Sequence, residues 1–324
     1  METDPGAVVT EGAEEQKMKR RAGRKKKKRY GRKWQTAGLY FVFPGFAGVL
    51  VFYLIPFLDV VKRSFMTALG NRFCGLANYR TVFANTAFRL AAGNTIRFLA
   101  VCMPLLLFLS FAAALGLREG FSQDGVRYAL FKSAYLVPLS VPAASVVLLW
   151  RLVFDGHGFL NGVLTAMGYP GKDWMNTESA FYVLVFSYIW KNLGYVMVLW
   201  LAGLATVPET LYEAARVDGA GKKACFFCIT LPCIRPVIFT IAVISLLNSF
   251  KVFREAWMVA GSYPQDSIYL LQHLFNNWFR DLAMEKIAAG AVVLAGMITF
   301  LIALMYRWGG NSRISGRRDG REDT

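Results

Sequence analysis

Glu213-Ala-Ala-Arg-Val-Asp-Gly219, followed ten residues later by Ile229-Thr-Leu-Pro232, is a polar stretch set between two strongly apolar segments. Backbone and side-chain polar groups are costly to leave unpaired in hydrocarbon, so such a stretch belongs where a membrane-spanning chain meets water. Its local chemistry predicts a compact elbow of two short helices. Pro208 suits a first helical turn, where its missing N–H would be unpaired anyway, and Glu209 and Glu213 complement the positive end of a helix beginning there. Asp218-Gly219-Ala220-Gly221 then tolerates a turn and left-handed backbone angles, and Lys222 opens a second helix that Pro232 is expected to interrupt.

The flanking segments decide the fold class. A chain of 324 residues that is 55% apolar could be a large soluble domain or a helical membrane protein. Crossing the hydrocarbon core takes about 20 mostly apolar residues. Six segments are long enough: Ala37 to Leu58, Thr95 to Leu117, Leu130 to Phe154, Phe181 to Leu204, Cys233 to Phe253, and Ile287 to Trp308. The fold predicted is therefore an all-α integral membrane protein with about six transmembrane helices. The first segment follows a basic region but is too long for a removable signal peptide and lacks a small-residue cleavage pattern, so it reads as a retained span. Asp155 to Ala180 is too short to hold a large insertion after the third span.

Charge gives the orientation. Of the formal +16, Lys17 to Lys33 alone contributes twelve Lys and Arg residues, immediately before the first span. Positive charge there resists translocation and attracts anionic lipid, which explains the run better than nucleic-acid binding does. Residues 1–36 form an acidic, then basic, tail expected to be disordered and cytoplasmic. Six spans return the C-terminal tail, residues 309–324, to the same side, in agreement with Arg307, Arg313, Arg317, Arg318 and Arg321, and place the elbow at 208–232 in the cytoplasm. Lys62, Arg63, Arg72, Arg80 and Arg89 would then lie outside, against the rule.

No metal or nucleotide site is legible. Cys225 and Cys228 have a Cys-x-x-Cys spacing without a second pair or a histidine cluster, and His157 and His273 are isolated. Gly221-Lys222 resembles the end of a phosphate loop, but Arg216 stands where its first glycine belongs and Lys223 where its Ser or Thr belongs. The chain is expected to bind no ATP or other cofactor of its own.

Polar side chains inside spans are expensive and usually face a bundle interior or a watery path. Lys191, Asn192 and Tyr195 lie on one side of the fourth span, and Ser245 and Asn248 lie in the fifth. Amides, hydroxyls and an aromatic face suit a sugar. Hydrogen bonding between helices is the other use of such a set. Lys191 further suggests an acidic sugar whose carboxylate meets its ammonium, whereas Lys251 is expected to snorkel outward, with Arg254 and Glu255 already at the boundary.

With Glu213, Ala214, Ala215, Gly219, Ile229, Leu231 and Pro232 all in place, the elbow resembles the "EAA" loop of ABC-importer permease subunits. Phe73-Cys-Gly-Leu-Ala-Asn-Tyr79, followed by Phe83, is similar to a signature of the carbohydrate-type members, and the likeness covers Ala37 to Trp308. Physically this segment suits an interfacial re-entry helix on the outer side, or a loop that packs on the spans. The resemblance implies the type I permease fold, with Glu213, Ala214, Ala215, Asp218, Gly219, Ile229, Leu231 and Pro232 docking on a cytoplasmic ATPase dimer that holds ATP and Mg. It implies a second, distinct permease subunit and an extracytoplasmic solute-binding protein. Counted from Leu211-Tyr212-Glu213, Asn192 and Tyr195 coincide with sugar-contacting positions of the maltose-type permeases; Ser245 and Asn248 do so through the Asn-x-Phe of the fifth span. Import of glycerol phosphate, a membrane scaffold, and a membrane-embedded enzyme are the competing functions, the last lacking convergent acids or histidines in the spans.

Overall fold

A computed structural model of the chain describes residues 40–68, 72–121, 125–260 and 264–309. The tail expected at residues 1–36 lies outside them, as does the tail expected at 309–324 apart from Gly309, which ends the last helix. Among the described residues the structure is helical apart from loops and a single antiparallel bridge between Met66 and Phe73. Six stretches are long and apolar enough to cross a membrane: Tyr40–Ser64, Thr86–Gly120, Ala143–Ala166, Ala180–Leu204, Arg235–Trp257 and Met284–Arg307.

In chain order, α1 is Tyr40–Ser64, α2 Ala77–Ala84 and α3 Thr86–Gly120. They are followed by α4 Val126–Ser140, α5 Ala143–Phe154, α6 Phe159–Ala166 and α7 Ala180–Leu204. The elbow contains α8 Glu209–Val217 and α9 Lys222–Cys225. The C-terminal part comprises α10 Arg235–Ser249, α11 Phe253–Ala260, α12 Leu271–Arg280 and α13 Met284–Gly309. Among the described residues two compact units are distinguished, 40–62 and 63–309, and every site described below belongs to the second.

The third span departs from the expectation of one helix over 130–154. Val141 precedes Pro142, and the proline ring drives the residue before it out of the helical region; Val141 accordingly has ψ 125° and separates α4 from α5. Ala143–Ala166 cannot be a continuous crossing, because the turn that separates α5 from α6 exposes Asp155 and His157 at its middle. Irregular backbone is tolerated at membrane depth only where it is buried in protein or lines a cavity. The break at Val141 lines one, which fits a third crossing made by α4 and α5 together.

The core sits between α3 and α7. Phe98, Cys102, Leu106, Phe181, Val196, Met197 and Trp200 are buried there. Lipid tails are as apolar as these side chains, so the helices are held by close packing and by hydrogen bonds that replace unmade ones. Trp200 Nε1 donates to Ser110 Oγ at 3.0 Å, and Trp150 Nε1 to Ser187 Oγ at 2.6 Å. Asn94 Nδ2 on α3 donates to the carbonyls of Asp266 and Tyr269, fixing the loop ahead of α12.

The Phe73 to Tyr79 signature has a structural use. Gly75 takes φ +58°, and Asn78 Nδ2 donates to the carbonyls of Ser64 and Met66 at 3.0 and 2.7 Å. The Tyr79 hydroxyl meets Ser64 Oγ at 2.7 Å. The segment packs back on the end of the preceding helix and starts α2 there.

His273 on α12 is fully buried among Phe253, Trp257 and Tyr269. Its Nδ1 accepts from the Leu270 N–H at 3.2 Å, which leaves the proton on Nε2. Burial pushes the imidazole down from 6.5 to about 4. The neutral form therefore stabilises the folded chain above pH 6.5, and that stability is lost as pH falls toward 4. A loss on the order of 2 kcal/mol is expected between pH 7 and pH 5. Thermal melts in detergent at the two pH values should show it, and His273→Phe should flatten the difference.

Candidate functional site

Two regions of the second unit carry polar groups that packing alone does not require. The first is the elbow. Pro208 occupies the cap position with ψ 134°, so α8 begins at Glu209, one residue later than a proline in the first turn would give. Gly219 lies at φ +80°; its N–H bonds to the Arg216 carbonyl at 3.1 Å and the Ala220 N–H to the Ala215 carbonyl at 2.8 Å. This paired closure needs a left-handed residue two positions past the last helical one, which accounts physically for a glycine at that spacing.

Pro232 does not interrupt the second arm. α9 continues through a π-helical turn at Phe226–Thr230 into Leu231–Cys233, and the chain breaks only at the fully buried Ile234. In that turn the Leu231 N–H reaches the Phe226 carbonyl, a wider closure than the α-helical one. The widened turn accommodates a residue that has no N–H to give.

The arms are tied together and to the spans. The Tyr212 hydroxyl meets Thr230 Oγ1 at 2.8 Å. Arg118, near the end of α3, lies 5.7 Å from the Tyr212 ring centroid and donates to the Leu204 carbonyl at 3.3 Å. Ile229 and Tyr212 pack on the α3–α7 core, and Leu231 is half-buried. Glu213, Ala214, Asp218 and Gly219 are exposed, and Val217 is 88% exposed. The elbow thus has a buried root and a free face that combines a carboxylate with small and apolar groups.

The second region is a cavity of about 530 Å³ lined by Leu139 to Ala143, Tyr188, Lys191, Asn192, Tyr195, Asn248, Arg254 and Glu255. Four of the five substrate-path residues named from sequence meet here: Lys191, Asn192, Tyr195 and Asn248. Ser245 is buried one turn away and is not among the lining residues. Asn192 Nδ2 donates to the Tyr188 carbonyl at 2.9 Å, within its own helix.

Lys191 Nζ lies 2.8 Å from Glu255 Oε1, with both side chains 15% exposed. Glu255 thus lines the cavity beside Lys191 and supplies the counter-charge that a largely buried ammonium needs. The Lys251 side chain, expected to snorkel, lies outside the described residues. Sequence reasoning missed three contributors to the wall: the break at Leu139 to Ala143, Arg254 and Glu255. Signals for them exist in Pro138 and Pro142 within an apolar run and in adjacent opposite charges after the fifth apolar segment. The break adds helix-end backbone groups to the side chains of the wall. The cavity can hold a hydroxylated ligand of modest size.

Comparisons with known proteins give the family and the fold. Residues 108–310, which contain both regions, match the family model described as binding-protein-dependent transport system inner membrane component. The trehalose/maltose transport system permease protein MalF of Thermococcus litoralis is 28% identical over 275 residues, 83% of this chain and 92% of that one. The sn-glycerol-3-phosphate transport system permease protein UgpA of Salmonella choleraesuis is 29% identical over 277 residues, 83% and 88% of the two chains. In fold, the chain is similar to a subunit of a bacterial ABC transporter involved in the import of alginate, with a TM-score of 0.72 at 20% identity over 86% of this chain and 96% of that one. The six expected spans and the all-α permease fold are thus found, with the third span broken. The chain is a multi-pass membrane protein and belongs to the family of binding-protein-dependent transport system inner membrane components.

Proposed function

We propose that this chain is a permease subunit of an ATP-driven importer for a carbohydrate, a mono- or oligosaccharide, in the plasma membrane. The observation that carries the reading is the elbow, with its buried root and exposed Glu213 face, in the same chain as the polar cavity. Both lie inside the family match, and relatives named for trehalose and maltose support a sugar. A relative named for sn-glycerol-3-phosphate supports the second reading, a polyol phosphate.

In this reading the elbow and both termini face the cytoplasm. A cytoplasmic ATPase dimer, holding ATP and Mg, receives α8; a distinct second permease completes the path; an extracytoplasmic binding protein delivers the substrate. Glu213 makes a charge-assisted hydrogen bond to a basic residue of the ATPase. ATP binding closes the ATPase dimer, the elbow moves with it, and Asn192, Tyr195 and Asn248 pass from inward-facing to outward-facing. The chain itself hydrolyses nothing and binds no cofactor.

The test is uptake by proteoliposomes holding this chain with its second permease, ATPase and binding protein. Labelled maltotriose, an oligouronate or glycerol 3-phosphate should accumulate only with ATP on the elbow side. ATP-independent accumulation would contradict the reading.

A further inference from the structure

The cavity carries an unbalanced charge. Lys191 is neutralised by Glu255 at 2.8 Å, whereas Arg254, on the same wall and exposed, has no ion-pair partner among the described residues. Among the described residues, two cations and one anion therefore line the cavity. One further feature there favours a negative ligand. The first turn of the twelve-residue α5 begins at Ala143 in the cavity wall and offers N–H groups at the positive end of a helix. Uncharged sugars require none of this surplus. A guanidinium left unpaired over a polar cavity is suited to a carboxylate or phosphate, which it can hold by two parallel hydrogen bonds.

We infer that the cavity selects a solute bearing an anionic group, a carboxylate or a phosphate on a sugar or polyol, and that Arg254 is the residue that recognises the charge. This rests on the importer reading and moves the charge contact from Lys191 to Arg254. Lys191, held by Glu255, positions the wall of α7 against α11, and the hydroxyls of the solute meet Asn192, Tyr195 and the broken helix.

The experiment uses the full transporter, with its second permease, ATPase and binding protein, in proteoliposomes. Uptake of trigalacturonate, glycerol 3-phosphate and maltotriose is measured for the wild type, Arg254→Gln and Arg254→Lys, with assembly checked by gel filtration. One of the two anions should be taken up in preference to maltotriose, and which one distinguishes a carboxylate from a phosphate. Arg254→Gln should lower its uptake at least tenfold and Arg254→Lys less, because lysine keeps the charge and loses the fork. Uptake of an anion at the wild-type rate in Arg254→Gln would overturn the inference. Preferential uptake of maltotriose, unaffected by either variant, would overturn it too while leaving the importer reading intact. That reading fails separately if no probe accumulates with ATP.

Discussion

Gly194→Leu is expected to abolish a functional transporter by forcing α4 away from α7. A Cβ at Gly194 would fall on the backbone carbonyl of Tyr135, and backbone cannot rotate out of the way as a side chain can. Even Gly194→Ala requires one helix to shift. Small residues permit this closeness, and in a membrane close packing is much of what holds helices together. Overpacking in a well-packed core costs about 1–3 kcal/mol, and a conflict with main chain belongs at or above the top of that range. Loss of melting temperature on the order of 10 °C is expected for the alanine variant, and little monodisperse protein for the leucine variant. Gly116→Ala is the control, since nothing lies within 4 Å of a Cβ there. Unaltered melting of Gly194→Leu would show that the two helices do not meet as described. Transport should fail along with stability, because α4 ends at the break that lines the cavity.

Glu213→Ala and Gly219→Val are expected to separate transport from stability. Glu213 is exposed and most exposed substitutions change stability by no more than about 0.5 kcal/mol. Gly219 stands at φ +80° with open space around its Cβ position, so a valine there clashes with nothing beyond its own backbone. It does have to adopt a left-handed conformation that costs about 1–2 kcal/mol for an ordinary residue, more for a β-branched one. That strain opens the closure formed by the Gly219 and Ala220 N–H groups and tilts the exposed end of α8. Insertion and detergent melting should stay near wild type for Glu213→Ala and decline slightly for Gly219→Val. Substrate-stimulated ATPase activity and uptake in the reconstituted complex should fall tenfold or more in both. Wild-type coupling in either variant would remove that residue from the docking surface.

Much of this was legible because membrane spans and the elbow depend on local rules. Length and apolarity located the spans, and the glycine at 219 follows from the geometry of a helix end. The third span was misread as continuous because hydropathy registers Val141-Pro142 as apolar and carries no backbone geometry, although the proline pair was a visible cue. Pro232 was misread as a break because a π turn six to two residues upstream absorbs it, and no composition signal announces that turn. Asn192 and Tyr195 could be placed on one helix face by spacing alone. Glu255 could not be assigned to Lys191, since the two are 64 residues apart and meet only through the packing of α11 near α7. The surplus positive charge of Arg254 became visible only once that pair was known.

The central claim is that the elbow transmits events at the ATPase to the cavity at Tyr195. It is tested most directly with Tyr195→Cys in a background lacking Cys74, Cys102, Cys225, Cys228 and Cys233. Labelling by an impermeant maleimide added on the binding-protein side of the reconstituted complex is followed without ATP and with the ATPase trapped by ATP and vanadate. Labelling should rise several-fold on trapping and stay at the ATP-free level when Glu213→Ala or Gly219→Val is added. The claim is contradicted by labelling that ignores ATP while the ATPase turns over, or by an ATP-dependent rise that survives both elbow substitutions.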